Sequence, residues 1–166
     1  MIILHIGLHK AGSTTVQTYL RDNADLLAEA GVIYPAIGRA ERSIAHHRLA
    51  AELRADEADA GQWAQIVTLA QDNPGKRVVI SSEGFQSADP AAVKRMLGDH
   101  PVKVFCYHRD AAQRFVSVYG HGTKNGFRTI DFDKVFDNQF GMKRTYIGET
   151  LKAWADAFGG DNVRVR

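Results

Sequence analysis

The first six residues, MIILHI, form a short apolar run rich in β-branched side chains, and the run stops at Gly7. A run of this length ended by a glycine predicts a strand buried on both faces of a parallel sheet. After the glycine-flanked loop, Val16, Leu20, Leu27 and Ala30 recur at near-helical spacing, with Ser13 or Thr14 as the expected cap and Gly31 as the end of the helix. The opening unit is therefore strand, loop, helix.

The same alternation continues along the chain. VIYP at 32–35 is a short extended piece, and two polar helices are expected over 43–54 and 57–71, the second with Trp63, Ile66, Val67 and Ala70 on one face. NPGK at 73–76 is a turn, RVVIS after it a second buried strand, 89–97 a helix and PVKVFCYH a third strand. Phe115, Val118 and Tyr119 indicate another helix, which GHGTKNG should end, and IDFDKVFDNQF at 130–140 is compatible with a short one. Ile147, Leu151, Trp154 and Phe158 mark an amphipathic helix, closed by a Gly-Gly pair before NVRVR, a fourth strand just beginning. Strands alternating with helices predict a right-handed parallel α/β sheet whose ligands bind beyond the carboxyl ends of the strands.

Composition narrows the function. A chain of 166 residues, 45% apolar, can build one domain with a substantial core, and 21 Lys and Arg against 19 Asp and Glu exclude a general polyanion binder such as a nucleic-acid coat. Any anion chemistry must be local. The single cysteine, Cys106, lies in the apolar run VKVFCY and is expected to be buried in a strand. The N-terminus lacks a basic segment, and its apolar run is too short for a secretory signal or a membrane span, so a cytoplasmic chain is expected.

Two stretches carry chemistry, and both directly follow expected strands. In LHIGLHKAGSTTVQTYL, Gly7 and Gly12 have the separation of a nucleoside-triphosphate loop, G-x-x-x-x-G-K-[ST]. However, Lys10 lies between the glycines, and Ser13 stands where that loop has its lysine. A loop entering a helix still presents backbone N–H groups and a positive helix end to an anion, to which Lys10 adds a charge and Ser13, Thr14 and Thr15 add hydroxyl donors. The second stretch, YHRDAAQRFVSVYGHG, places Arg109 at a strand end and Arg114 and Ser117 within a helical turn of one another, a plausible second phosphate site.

Taken together, the two stretches resemble the sulfotransferases that use 3′-phosphoadenosine 5′-phosphosulfate (PAPS). HIGLHKAGSTTVQTYL is similar to that family's 5′-phosphosulfate loop, in which the lysine precedes the second glycine and a Ser/Thr cluster follows. HRDAAQRFVSVY is similar to its 3′-phosphate motif, an arginine followed eight residues later by a serine, matched here by Arg109 and Ser117, with Arg114 and Tyr119 at commonly matching places. Weaker likeness extends to GVIYP, SSEGF and LKAWADAFGGDNVRV.

The resemblance implies a three-layer α/β/α fold with a central parallel sheet of the P-loop-NTPase-like sulfotransferase type. It implies PAPS as co-substrate, adenosine 3′,5′-bisphosphate as product and no metal. His9, Lys10, Ala11, Gly12, Ser13, Thr14, Thr15, Arg109, Arg114 and Ser117 would bind the nucleotide, with Lys10 also serving the transferred group. Family members use a glutamate or a histidine as base, and Glu83 in SSEGF lies in a region resembling the glutamate type. His46 and His47, on the expected polar helix, are its rivals, because an imidazole titrates near neutrality. His5 is expected to be buried in the first strand, and His108 and His121 receive no role. The acceptor, a hydroxyl or an amine of a carbohydrate, lipid or other small molecule, is not legible. Family members usually continue beyond a point such as Arg166, so 1–166 reads as a single domain truncated at its C-terminal end. A P-loop kinase of small molecules and a non-catalytic nucleotide-binding module are the alternatives.

Overall fold

Ile2, Leu4 and Ile6 are fully buried, and the strand they define, β1 (Ile2–Ile6), pairs in parallel on both sides. The computed structural model describes residues 1–54, 60–126, 131–136 and 146–166. Its remaining strands are β2 (Val32–Ile33), β3 (Arg77–Ser82), β4 (Val102–Cys106) and β5 (Val163–Val165). All pair in parallel in the order β2-β3-β1-β4-β5. The helices are α1 (Ser13–Asp22), α2 (Ala24–Glu29), α3 (His47–Arg54), α4 (Ala60–Gln71), α5 (Pro90–Leu97), α6 (Ala111–Lys124) and α7 (Tyr146–Phe158), with a further helical turn at 132–136. With helices flanking the sheet, the fold is the expected three-layer α/β/α arrangement.

The register aligns the functional ends. Ile6 of β1 lies opposite Ser82 of β3, and His5 lies opposite both Ser81 and Phe105 of β4. The chain leaves β1 toward β2 on one side and leaves β4 toward β5 on the other. The loops after β1 and β4 therefore diverge, and a crevice opens between them, as at the switch point of any doubly wound sheet.

The core is one continuous apolar cluster. α4 contributes Trp63, Ile66 and Ala70 to it, with Val67 packed against it, and Trp63 meets Phe85 edge-on with ring centroids 6.1 Å apart. α5 packs between α4 and α7, and α7 brings Trp154 and Phe158 onto the β4 side of the sheet. Cys106 is buried at the end of β4, where desolvation pushes its thiol up to about 11 and leaves it an inert packing group. No described helix is long and apolar enough to cross a membrane.

Several boundaries differ from the sequence expectation. The helix expected from Ser13 to Ala30 is two helices, because the Asn23 side chain donates to the Tyr19 carbonyl (2.9 Å) and its backbone leaves the helical region. The cap of α1 is Gly12, at φ 92°, and not a Ser or Thr side chain. α6 runs through Gly120 and Gly122 to Lys124 where GHGTKNG was expected to end it; Asp110 caps its start by accepting from the N–H groups of Ala112 and Gln113. Of the helix expected within 130–140, residues 132–136 are helical and 137–140 lie outside the described residues, as do 55–59, where α4 was expected to begin.

α3 begins at His47 and not near Ser43. Ser43 forms its own local turn by accepting from Ala45 N–H, and the backbone N–H of His46 donates to Ser81 O of β3 at 2.8 Å. The His46 ring completes the pin: Nε2 donates to Pro35 O (3.1 Å), and Nδ1 accepts from Ser81 N–H (3.1 Å). Tyr34 packs edge-on against it and donates its hydroxyl to Ile44 O. His46 is fully buried, and desolvation pushes its imidazole down to about 4, outweighing the hydrogen bonds that favour the cation.

This burial makes stability depend on pH. The unfolded chain takes up a proton on His46 below its ordinary value of 6.5, while the folded chain does not until about pH 4. Stability from this group is therefore present above pH 6.5, falls as the pH falls, and is lower by about 3 kcal/mol at pH 4 and below. Urea unfolding of the wild type and His46→Gln at pH 7 and pH 5 checks this. The wild type should lose about 2 kcal/mol more than the variant over that interval, and equal losses would move the effect elsewhere.

Candidate active site

Where β1 ends, the backbone has no space for a side chain. A Cβ on Gly7 would collide with the Ser13 hydroxyl and lie 3.1 Å from Cγ of Glu83, so the turn into α1 and the carboxylate after β3 close around this glycine. Gly7 N–H donates to Ser82 O at 3.3 Å, extending the β1–β3 ladder into the loop. Ala11 N–H then donates to Leu8 O, Lys10 takes a left-handed φ of 65°, and Gly12 follows at φ 92°. A left-handed lysine costs on the order of 1 kcal/mol, a strain of the kind that ligand-holding loops store. The turn leaves the amides of Ser13 and Thr14 ahead of the first intrahelical bonds of α1, which run from Thr15 and Val16 back to Gly12 O. Ser13 Oγ is buried with no hydrogen-bond partner among the described residues.

The loop after β4 reaches this turn directly. Arg109 Nη1 donates to the backbone carbonyl of Lys10 at 3.4 Å, joining residues 99 positions apart. Between the two loops lies a cleft of about 380 Å³, lined by His9, Lys10, Gly12, Ser13, Thr14, Glu83, Arg109 and Ser117. Its size falls in the range of small-molecule sites. Its lining combines two cations, Lys10 and Arg109, with the hydroxyl groups of Ser13, Thr14 and Ser117 and the carboxylate of Glu83. Of the remaining sequence candidates, Ala11 packs against the core, Thr15 is exposed, and Arg114 is half-buried on α6 outside the lining. Among the described residues, no group of three or more His, Cys, Asp or Glu is arranged to hold a metal ion.

Glu83 opens a 3₁₀ turn, Glu83–Ser87, immediately after β3. Ser82 caps this turn by accepting from Gly84 N–H at 2.9 Å, and fully buried Phe85 anchors it against Trp63. The Glu83 side chain is only 15% exposed. Its Oε2 accepts from the Gln17 amide at 3.3 Å and lies 3.8 Å from Nε2 of His47. His47, whose Nδ1 is 2.7 Å from Ser82 Oγ, stands half-exposed beside the carboxylate, outside the cleft lining. Its neighbour His46 has both ring nitrogens committed to backbone partners and is sealed in the core. The expectation of two histidines on one polar helix is thus corrected for His46, which has no free nitrogen to take an acceptor's proton.

Two further histidines flank the site. His9 is exposed and fixed through its backbone N–H to Gln86 Oε1, while His5 is buried as expected, 2.7 Å from Ser81 Oγ, with its imidazole pushed down by desolvation. Gln17 is the site-adjacent residue that sequence reasoning passed over. It is 2% exposed on α1, one turn beyond Ser13, and bonds both Ser81 and Glu83. The signal was its spacing: at i+4 from Ser13 it must share that residue's inward face.

No protein-family model matches the sequence, and no curated protein matches it significantly. Among solved structures, the chain is similar to the crystal structure of a sulfotransferase from Alicyclobacillus acidocaldarius, with 17% identity and a TM-score of 0.56 over 98% of this chain and 71% of that one. At that identity the likeness is one of fold, and the fold is a sulfotransferase-like α/β sandwich.

Proposed function

We propose that residues 1–166 form a single PAPS-dependent sulfotransferase domain, which transfers a sulfuryl group from PAPS to an acceptor hydroxyl or amine and releases adenosine 3′,5′-bisphosphate. The observation that carries this reading is the convergence of Lys10, Ser13, Arg109, Ser117 and Glu83, drawn from three separate loops and helices, on one cleft at the sheet's switch point. The fit to an anionic nucleotide rests on the orphaned hydroxyl of Ser13, the open first turn of α1 and two cations facing the same space. The fold likeness to a sulfotransferase supports it.

PAPS, when bound, supplies an activated sulfuryl group on a phosphate leaving group. The α1 amides with Ser13, Thr14 and Thr15 would hold the 5′-phosphate, and Arg109 with Ser117 the 3′-phosphate. Lys10 would bring its ammonium to the phosphosulfate and the bridging oxygen. Negative charge grows on that oxygen as it departs, so a fixed cation there stabilises the transition state more than the ground state. Glu83 would take the acceptor's proton as the new S–O or S–N bond forms. A lysine placed before the second glycine, where a triphosphate loop carries it after, suits this single bridging oxygen.

Lys10→Ala should lower PAPS turnover by about 100- to 1000-fold while changing the affinity for adenosine 3′,5′-bisphosphate much less; an unaltered rate removes Lys10 from the mechanism. Arg109→Ala should weaken binding of adenosine 3′,5′-bisphosphate by about 1.5–3 kcal/mol. Isothermal titration of the wild type with adenosine 3′,5′-bisphosphate, adenosine 5′-phosphate and ATP checks the nucleotide itself. Equal affinity with and without the 3′-phosphate overturns the Arg109 and Ser117 assignment, and tighter binding of ATP favours a kinase.

A further inference from the structure

A glutamine amide buried inside a fold costs about 1–3 kcal/mol unless its donors are used. Gln17 is 2% exposed and uses both. One N–H goes to Ser81 Oγ at 3.1 Å and the other to Glu83 Oε2 at 3.3 Å. The orientation of the amide follows from its partners, because a flipped group would set a carbonyl oxygen against a carboxylate. Ser81 Oγ, having accepted from Gln17, lies 2.7 Å from His5 Nδ1. Burial favours the neutral form of the His5 imidazole. The Gln17 amide thus donates two ways, to the cleft carboxylate of Glu83 and to Ser81 Oγ, which lies against His5 of β1.

We infer that Gln17 is a positioning residue: its amide, backed by Ser81 and His5, ties Oε2 of Glu83 and leaves Oε1 as the oxygen that receives the acceptor's proton. Oε2 accepts from Gln17 Nε2 and lies 3.8 Å from His47 Nε2, while Oε1 accepts no hydrogen bond from the described residues. The inference rests on the reading of Glu83 as base. It deepens that reading by naming the oxygen and the device that selects it. A carboxylate free to rotate would share its basic lone pairs over several directions, and misplacement by about 1 Å costs on the order of 100-fold in rate. Gln17 touches neither nucleotide nor acceptor in this account and acts only through Glu83.

The test compares the wild type, Gln17→Leu and Glu83→Gln in the full chain. Release of adenosine 3′,5′-bisphosphate from PAPS is followed with water and a panel of simple alcohols and amines as acceptors, and the Kd for adenosine 3′,5′-bisphosphate is measured by calorimetry. Gln17→Leu should lose about 10- to 100-fold in turnover with the Kd within about twofold of the wild type. The second readout does not depend on activity or on the folding of the Leu variant: the side-chain NH₂ signals of Gln17 in ¹H–¹⁵N spectra should shift in Glu83→Gln. A glutamine that merely satisfied Ser81 would keep its signals there. Wild-type turnover in Gln17→Leu with an inactive Glu83→Gln overturns the positioning role and leaves the base intact, as do unmoved amide signals. Full turnover in Glu83→Gln, or none in the wild type, overturns the base reading itself.

Discussion

The pairing of β1 with a strand on each side is the constraint from which the rest follows. Because β1 is in parallel register with β3 and β4 at once, the chain must exit all three strands at the same edge of the sheet. Residues 7, 83 and 107 onward therefore begin within reach of one another, whatever their separation in sequence. The reversal of chain direction on either side of the β1–β4 pair keeps this edge uncovered. Gly7 adds the local condition, since only a residue without a Cβ lets Ser13 and Glu83 close over the end of β1.

Within that geometry the site separates its charges by loop. The cations stand on the turns after β1 and β4, and the carboxylate stands on the turn after β3. The Arg109 bond to the Lys10 carbonyl sets the two cationic loops against each other through backbone, which leaves the Lys10 ammonium free of any internal ion pair among the described residues. An anion entering the cleft would thus compete with no protein carboxylate for that lysine. Glu83 is partnered by the Gln17 amide and the His47 imidazole and not by Lys10 or Arg109, the cations the nucleotide would need.

Much of the fold was legible because its signals are local. The three central strands read as short apolar runs, the helices on the sheet read through Trp63, Ile66 and Trp154, and the two loops read through the glycines and the arginine-serine spacing. Boundaries failed where a polar side chain had two possible partners. Asn23 could have continued one long helix, yet its amide captures the Tyr19 carbonyl and divides it. Ser43 could have opened α3, yet it closes a turn on itself. In each case the choice depends on tertiary contacts that periodicity does not contain.

His46 and His47 show the same limit at the level of chemistry. The residues are adjacent and identical in type, so nothing in the sequence divides the roles between them. The start of α3 falls between them: the backbone of His46 is still bonded to β3, which turns its ring into the core against Tyr34, whereas His47, the first residue of the helix, projects toward Ser82 and Glu83. Burial keeps the first neutral down to about pH 4 and makes it a structural pin. The second keeps solvent access at the carboxylate's edge. The division of labour between a structural and a site-facing histidine is thus set by one helix boundary, and at that boundary His46 is held by its backbone and ring bonds to Ser81, on the strand that leads into Glu83.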